Sequence, residues 1–194
     1  MPLLHIILES PALYEVTKTE VDIGAITKPY VDIAHCIRAG FCVSHALRKW
    51  VRISIGFTQL GPLTMTLDPN TIRYLGTDER SILHVILRGQ EAFRKPRTKI
   101  PHGVTLSDKL ALEVLSNETR DEVKLLVPGE SSTWQKLVTS VDKLVMYCPL
   151  SKEWEQKDLA TYNPDFYSKN LHRDLAILEV VHAIDSAEIG LQKD

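Results

Sequence analysis

Residues 32–57 read DIAHCIRAGFCVSHALRKWVRISIGF, and the change of rhythm inside this stretch decides the fold class. From residue 32 to 49 the apolar residues Ile33, Cys36, Ile37, Phe41, Val43 and Leu47 fall mostly three and four apart, which predicts a helix. Asp32 reads as its N-cap, and Arg48 and Lys49 suit its C-terminal end. Residues 51–57 (VRISIGF) then alternate apolar with polar positions and are rich in β-branched side chains, as a strand is. A helix feeding directly into a strand is the building unit of an α/β fold.

The same alternation of elements extends in both directions. Residues 3–8 (LLHIIL), bounded by Pro2 and Pro11, read as a buried strand, followed by a polar, loop-like segment to Pro29. Gly61-Pro62 is a turn, and residues 63–67 are the expected hairpin partner of 51–57. Asp68-Pro69-Asn70 turns the chain again, and Thr77 or Asp78 caps a helix over 79–93 with Ile82, Leu83, Ile86 and Leu87 as its stripe. Arg94 to Lys99 is a basic loop around Pro96, and Ser107 opens a helix ending near Asn117. Expected after it are a strand over 123–127 ending at Pro128-Gly129, a helix over 131–140, and a strand over 144–147 ending at Pro149. A polar stretch to 170 and a last helix over 171–188 complete the reading. Strands separated by helices predict a single α/β domain over 1–194 with a largely parallel sheet.

Composition excludes several classes. With 44% hydrophobic and 25% charged residues the chain is neither disordered nor collagen-like, and no run of apolar residues is long enough to span a membrane. The formal net charge of -2 argues mildly against a nucleic-acid partner. Cys36, Cys42 and Cys148 are too few and scattered for a disulfide framework, and no Cys/His zinc pattern occurs. The N-terminus lacks a basic leader and a cleavage site, so a reducing, cytoplasmic location is expected. No GxGxxG, Walker lysine loop, GxSxG or HExxH is present. The strand ends at 127–130 and 147–150 are the expected ligand edge of such a sheet.

Two segments carry a resemblance to a known family. CIRAGFCVSHALRKWVRISIGF, with Phe41, Ser44, His45 and Arg48 in an aromatic-x-x-Ser-His-x-x-Arg pattern, and YLGTDERSILHVILRG, with Thr77-Asp78-Glu79-Arg80 opening a helix, supply it. The chain resembles the archaeal SPOUT-class methyltransferases that methylate N1 of a pseudouridine in the tRNA T-loop (the TrmY family). The resemblance implies a C-terminal trefoil knot, a homodimer, an RNA substrate, and S-adenosylmethionine bound among loops near 127–131, 147–153 and 165–172. It assigns cofactor contacts to Val127, Gly129, Leu150 and Leu171, and catalytic roles to His45, Asp78 and Arg80; methyl transfer also needs a group that orients or deprotonates the acceptor nitrogen, for which Asp32 and Asp78 are the nearest candidates. The aromatic residues Tyr147, Trp154, Phe166 and Tyr167 are the expected lining of a substrate pocket.

Where that family carries a glycine-rich cofactor segment this chain has Cys148-Pro149-Leu150-Ser151-Lys152-Glu153, and Asp108 stands where the family has arginines. These differences define a second expectation. In it the scaffold, without S-adenosylmethionine, performs a cofactor-free cyclisation or isomerisation of an apolar small molecule in the old pocket.

Overall fold

The computed structural model describes residues 3–44, 46–95, 97–118, 124–129, 134, 141–151, 164–168 and 172–191. Its centre is β1 (Leu3–Ser10), whose buried, largely apolar run pairs in parallel with β4 (Val51–Phe57) on one side and β8 (Lys143–Pro149) on the other. Beyond β4 lie β5 (Leu63–Leu67) and β6 (Val104–Ser107), each antiparallel to its neighbour. Beyond β8 lie β7 (Lys124–Gly129) and then β9 (Asp165–Ser168), both parallel. The result is a mostly parallel seven-stranded sheet in the order β6-β5-β4-β1-β8-β7-β9.

Strand 51–57, its antiparallel partner 63–67 and the helix start at Glu79 stand where the sequence puts them; helix α3 is Glu79–Arg94, with the Asp78 carboxylate accepting the Ser81 N–H at 2.9 Å. The helix expected over 32–49 is different at both ends. Helix α2 spans Lys28–Phe41, with Thr27 at its N-cap and a proline in the first turn. Asp32 is therefore not a cap; its carboxylate accepts from Lys28 Nζ one turn earlier. Helix α2 stops because Cys42 turns extended, and β2 (Cys42–Val43) folds back antiparallel on β3 (Ala46–Leu47) around Ser44 at φ 47°. Arg48, returning from this hairpin, donates from Nη1 to the carbonyls of Ala39, Gly40 and Cys42 at 3.2, 3.4 and 2.9 Å. A tertiary arginine thus satisfies the helix end that Arg48 and Lys49 were expected to close from within the helix.

Three further elements depart from expectation. The segment before Pro29 holds helix α1 (Lys18–Ile23), opened by a Thr17/Glu20 capping box and closed by Gly24 at φ 74°. The helix expected from Ser107 begins later, as α4 (Ala111–Glu118), because residues 104–107 pair with β5 as an edge strand. Strand β9 lies inside the stretch read as polar loop. Of the helix expected over 131–140 only Trp134, which is buried, is among the described residues.

One face of the sheet, including Leu4, Ile6, Leu8, Ile53, Leu144 and Met146, is buried in one continuous core with α2, α3 and the last helix, α5 (Arg173–Leu191). The other face carries a smaller cluster of Ile7, Leu125, Val127, Val145 and Tyr147 against Ala111 of α4. That helix comes so close to β4 that a Cβ on Gly56 would lie 2.5 Å from the Ala111 Cβ. On the same face His5 Nε2 meets Ser54 Oγ at 2.8 Å, and Ser54 Oγ meets Thr66 Oγ1 at 2.7 Å, so polar residues within the strands satisfy one another.

The C-terminal path is unusual in one respect. Strand β9 is the outer neighbour of β7, yet Arg173 at the start of α5 donates from Nε to the Pro149 carbonyl of β8 at 3.0 Å. Between Ser168 and Arg173 the chain therefore moves from outside β7 back to the end of β8, and α5 then lies along α2. No helix among the described residues is long and apolar enough to cross a membrane.

Candidate functional site

Strand β1 has β4 on one side and β8 on the other, so the carboxyl ends of β1 and β8 border the point where the sheet's connections diverge. Ligands of open α/β sheets gather in that crevice. Glu9 closes β1 there: its carbonyl accepts the Leu150 N–H at 2.9 Å, and its carboxylate accepts from the Tyr147 hydroxyl. Strand β7 ends beside it at Gly129, which pairs with Ser168 of β9. Arg173 binds the Pro149 carbonyl and stands 5.7 Å over the Tyr167 ring, while the Tyr167 hydroxyl donates to the Tyr147 carbonyl at 3.0 Å. The Leu150 carbonyl has no hydrogen-bond partner among the described residues.

Beneath this rim lie two buried thiols and a buried phenol. Burial pushes Cys148 up to about 12, with Tyr167 and Arg173 pulling the other way. Cys36 is also raised well above the ordinary thiol value, first by burial, then by Cys148, Asp174 and Asp32, with Arg173 opposing. Thiols held protonated in this way are poor nucleophiles, so Cys148 is a packing residue. Native protein treated with a bulky aromatic disulfide at pH 8 should therefore modify Cys42 alone, the half-buried cysteine, and release the other two thiols only on unfolding. A second thiol reacting in the folded state would contradict this burial.

The residues named from sequence divide by position. Gly129, Leu150 and Tyr167 stand at the rim or just beneath it, and Asp32 lies in α2, paired with Lys28. Val127 and Tyr147 are fully buried on the α4 face, whereas Tyr167 is buried in the main core. The two tyrosines therefore do not line one pocket, because consecutive strand positions such as 147 and 148 point to opposite faces. Asp78 and Arg80 stand at the start of α3, after the loop that follows β5. Strand β5 runs antiparallel, so the chain leaves it level with the start of β4, where Asn70 Nδ2 reaches the Lys49 carbonyl at 3.2 Å. Asp78 caps α3, and Glu79 meets His35 Nε2 of α2, one turn along that helix from Asp32, at 2.8 Å. His45, Trp154, Leu171 and the side chain of Phe166 lie outside the described residues.

Sequence reasoning missed Glu9 and Arg173. The signal for Glu9 was available, since an apolar strand ending in Glu-Ser before Pro11 places a carboxylate at a carboxyl end. Nothing local marks Arg173, whose role depends on the return of the chain to β8. A separate open groove of about 450 Å³, lined by Glu15, Val16, Thr17, Lys18, Leu87, Glu91 and Arg94, is crossed by the Arg94–Glu15 ion pair at 2.9 Å. Among the described residues no three His, Cys, Asp or Glu side chains are grouped to hold a metal ion. No protein-family model matches the chain, and no curated protein matches it.

Proposed function

We propose that this protein is a SPOUT-like methyltransferase, a homodimer that moves a methyl group from S-adenosylmethionine to a ring nitrogen of an RNA base of the pseudouridine type. The observation that carries the reading is the path of the C-terminus. A strand outside β7 followed by a helix anchored at the end of β8 is the arrangement that a chain tucked into a trefoil knot requires.

The residues at the rim fit an adenosyl group at two points. Gly129 adds no side chain above the end of β7, and the Leu150 carbonyl is available to accept from an exocyclic amine. When bound there, S-adenosylmethionine supplies an electrophilic methyl group. Arg173 holds the end of β8 by its bond to Pro149, and Asp32 holds or takes the proton of the acceptor nitrogen. Catalysis by such a site rests mostly on positioning.

Calorimetric titration of the full-length protein with S-adenosylmethionine tests the reading. Saturable binding in the micromolar range supports it, and no heat up to millimolar ligand overturns it. Asp32→Asn should bind the cofactor as the parent does and lose about 10²- to 10⁴-fold in methyl-transfer rate, measured with radiolabelled cofactor. An unchanged rate would remove Asp32 from the chemistry.

A second reading is supported by the chemistry of the same rim. Pro149 has no N–H, its carbonyl is taken by Arg173, and the Leu150 N–H is taken by Glu9, so β8 offers few backbone groups to a cofactor. The alternative is a cofactor-free cyclase or isomerase acting on an apolar small molecule. Absence of cofactor binding, with thermal stabilisation by hydrophobic small molecules, would favour it.

A further inference from the structure

At the opposite end of the strands Tyr74 is 93% exposed and has a backbone φ of 63°. A bulky residue in the left-handed region is strained and persists only where its surroundings enforce it. Here they do. The Ser81 hydroxyl donates to the Tyr74 carbonyl at 3.1 Å and accepts the Gly76 N–H at 2.7 Å. Upstream, the Asp68 carbonyl accepts the N–H groups of Thr71 and Ile72, and the Ile72 backbone packs directly on Gly103. The loop from Asp68 to Ser81 is thus pinned at both ends around a ring that nothing in the fold covers.

Its surroundings are cationic. Arg73 and Arg80 are exposed and make no ion pair among the described residues, and Lys49 Nζ rests on the Pro69 carbonyl. The nearby carboxylates are engaged: Asp68 by Asn70, Asp78 by the Ser81 N–H, and Glu79 by His35. The net charge of -2 conceals this polarity. Residues 38–109 hold twelve Lys and Arg against five Asp and Glu, and the rest of the chain holds eleven against twenty. An exposed aromatic ring on a pinned backbone, flanked by guanidinium groups that make no ion pair among the described residues, suits a base stacked on the ring with its phosphates on the arginines. An acidic peptide would use the cations and leave the ring without a partner.

We infer that the Tyr74 loop is a stacking anchor for single-stranded RNA, formed by Tyr74 with Arg73 and Arg80 at the amino end of the sheet. The biological ligand rests on the RNA-methylation reading above. The loop leaves β5 level with the start of β4, away from the Glu9–Leu150 rim, so the anchor binds and positions the RNA and takes no part in bond making.

Fluorescence anisotropy with a 5′-labelled twelve-nucleotide single-stranded RNA in 50 mM salt tests the inference on the full chain. Tyr74→Ala should weaken binding about ten- to a hundredfold, while Tyr74→Phe, which keeps the ring, should stay within about twofold of the parent. Arg73→Ala should lower the slope of log affinity against log salt by about one, whereas Tyr74→Ala should leave that slope unchanged. Equal affinity of the parent and Tyr74→Ala overturns the inference, as does binding of poly-glutamate but not RNA. Thermal denaturation of each variant separates lost contact from lost fold. Titration of the same samples with S-adenosylmethionine keeps the two readings apart. RNA binding lost with Tyr74→Ala in a protein that ignores the cofactor sinks methyl transfer alone, and cofactor binding with an RNA affinity indifferent to Tyr74 sinks the anchor alone.

Discussion

Arg48→Ala should destabilise the protein by about 3 kcal/mol. The Arg48 side chain is 7% exposed and spends its whole fork inside the molecule: Nε and Nη2 reach Asp185 Oδ2 at 3.1 Å, and Nη1 serves three carbonyls at the end of α2. Truncation leaves those carbonyls without their donor and opens a space where the side chain packed. Asp185, at 29% exposure, relaxes into water, so the lost ion pair is the smaller part of the cost. Urea unfolding followed by circular dichroism should show the midpoint falling by about 1 M or more at unchanged slope. Lysine at this position keeps the charge but not the fork and should recover less than half of the loss. A midpoint unmoved by Arg48→Ala would mean that the hairpin after α2 holds itself.

Gly103→Ala should cost a similar amount for a different reason, and the protein contains its own control. Gly103 has φ 76° and Gly24 has φ 74°, so an alanine suffers nearly the same backbone strain at either position, about 1 kcal/mol. The space around them differs. A Cβ on Gly24 meets nothing within 4 Å, whereas one on Gly103 would stand 2.2 Å from the Ile72 nitrogen and 2.3 Å from its Cα. Backbone cannot swing aside as a side chain can, so the turn at 68–72 must move and its hydrogen bonds to Asp68 must stretch. The expected costs are about 1 kcal/mol for Gly24→Ala and about 3 kcal/mol for Gly103→Ala, read as two midpoints in the same urea titration. Equal midpoints would show that conformation alone, and not contact, decides both sites. Displacement of Ile72 should also carry the Tyr74 loop with it, so Gly103→Ala should weaken RNA binding while Gly24→Ala should not.

Much of the architecture was legible where local chemistry and tertiary context agree. Val51–Phe57 alternates and is a strand, Asp78 is a good cap and caps, and Gly61-Pro62 turns the chain into an antiparallel partner. The end of α2 was not legible, because Val43 and Leu47 satisfy helical spacing and hairpin pairing alike. The choice is made by Arg48, whose donors are worth more to the helix carbonyls than another turn of helix. Strand β9 has only four residues and acquires its character from the outer edge of β7, which sits far away in sequence.

The site was legible in part for similar reasons. Gly129 and Leu150 followed from strand ends that punctuation marks clearly. Asp32 was singled out as a cap, and it instead pairs with Lys28 within α2. Asp78 and Arg80 came from a motif, and the structure sets them at the start of α3, where Glu79 meets His35 of α2. The aromatic residues were expected to share a pocket because they share a region of sequence, and strand alternation divides Tyr147 from Tyr167.

The central place of β1 sets a timetable for synthesis. It is made before the other described elements, yet its partner on one side begins at Val51 and on the other at Lys143. Elongating at about 5–20 residues per second, a ribosome needs roughly 7–28 s between the first strand and its last neighbour. Throughout that interval one edge of this largely apolar strand is open to any extended chain nearby. A nascent chain stalled before β8 is therefore the most aggregation-prone form of this protein. A circular permutant that begins at β8 and lets β1 follow it would shorten the wait without altering a single contact of the finished sheet.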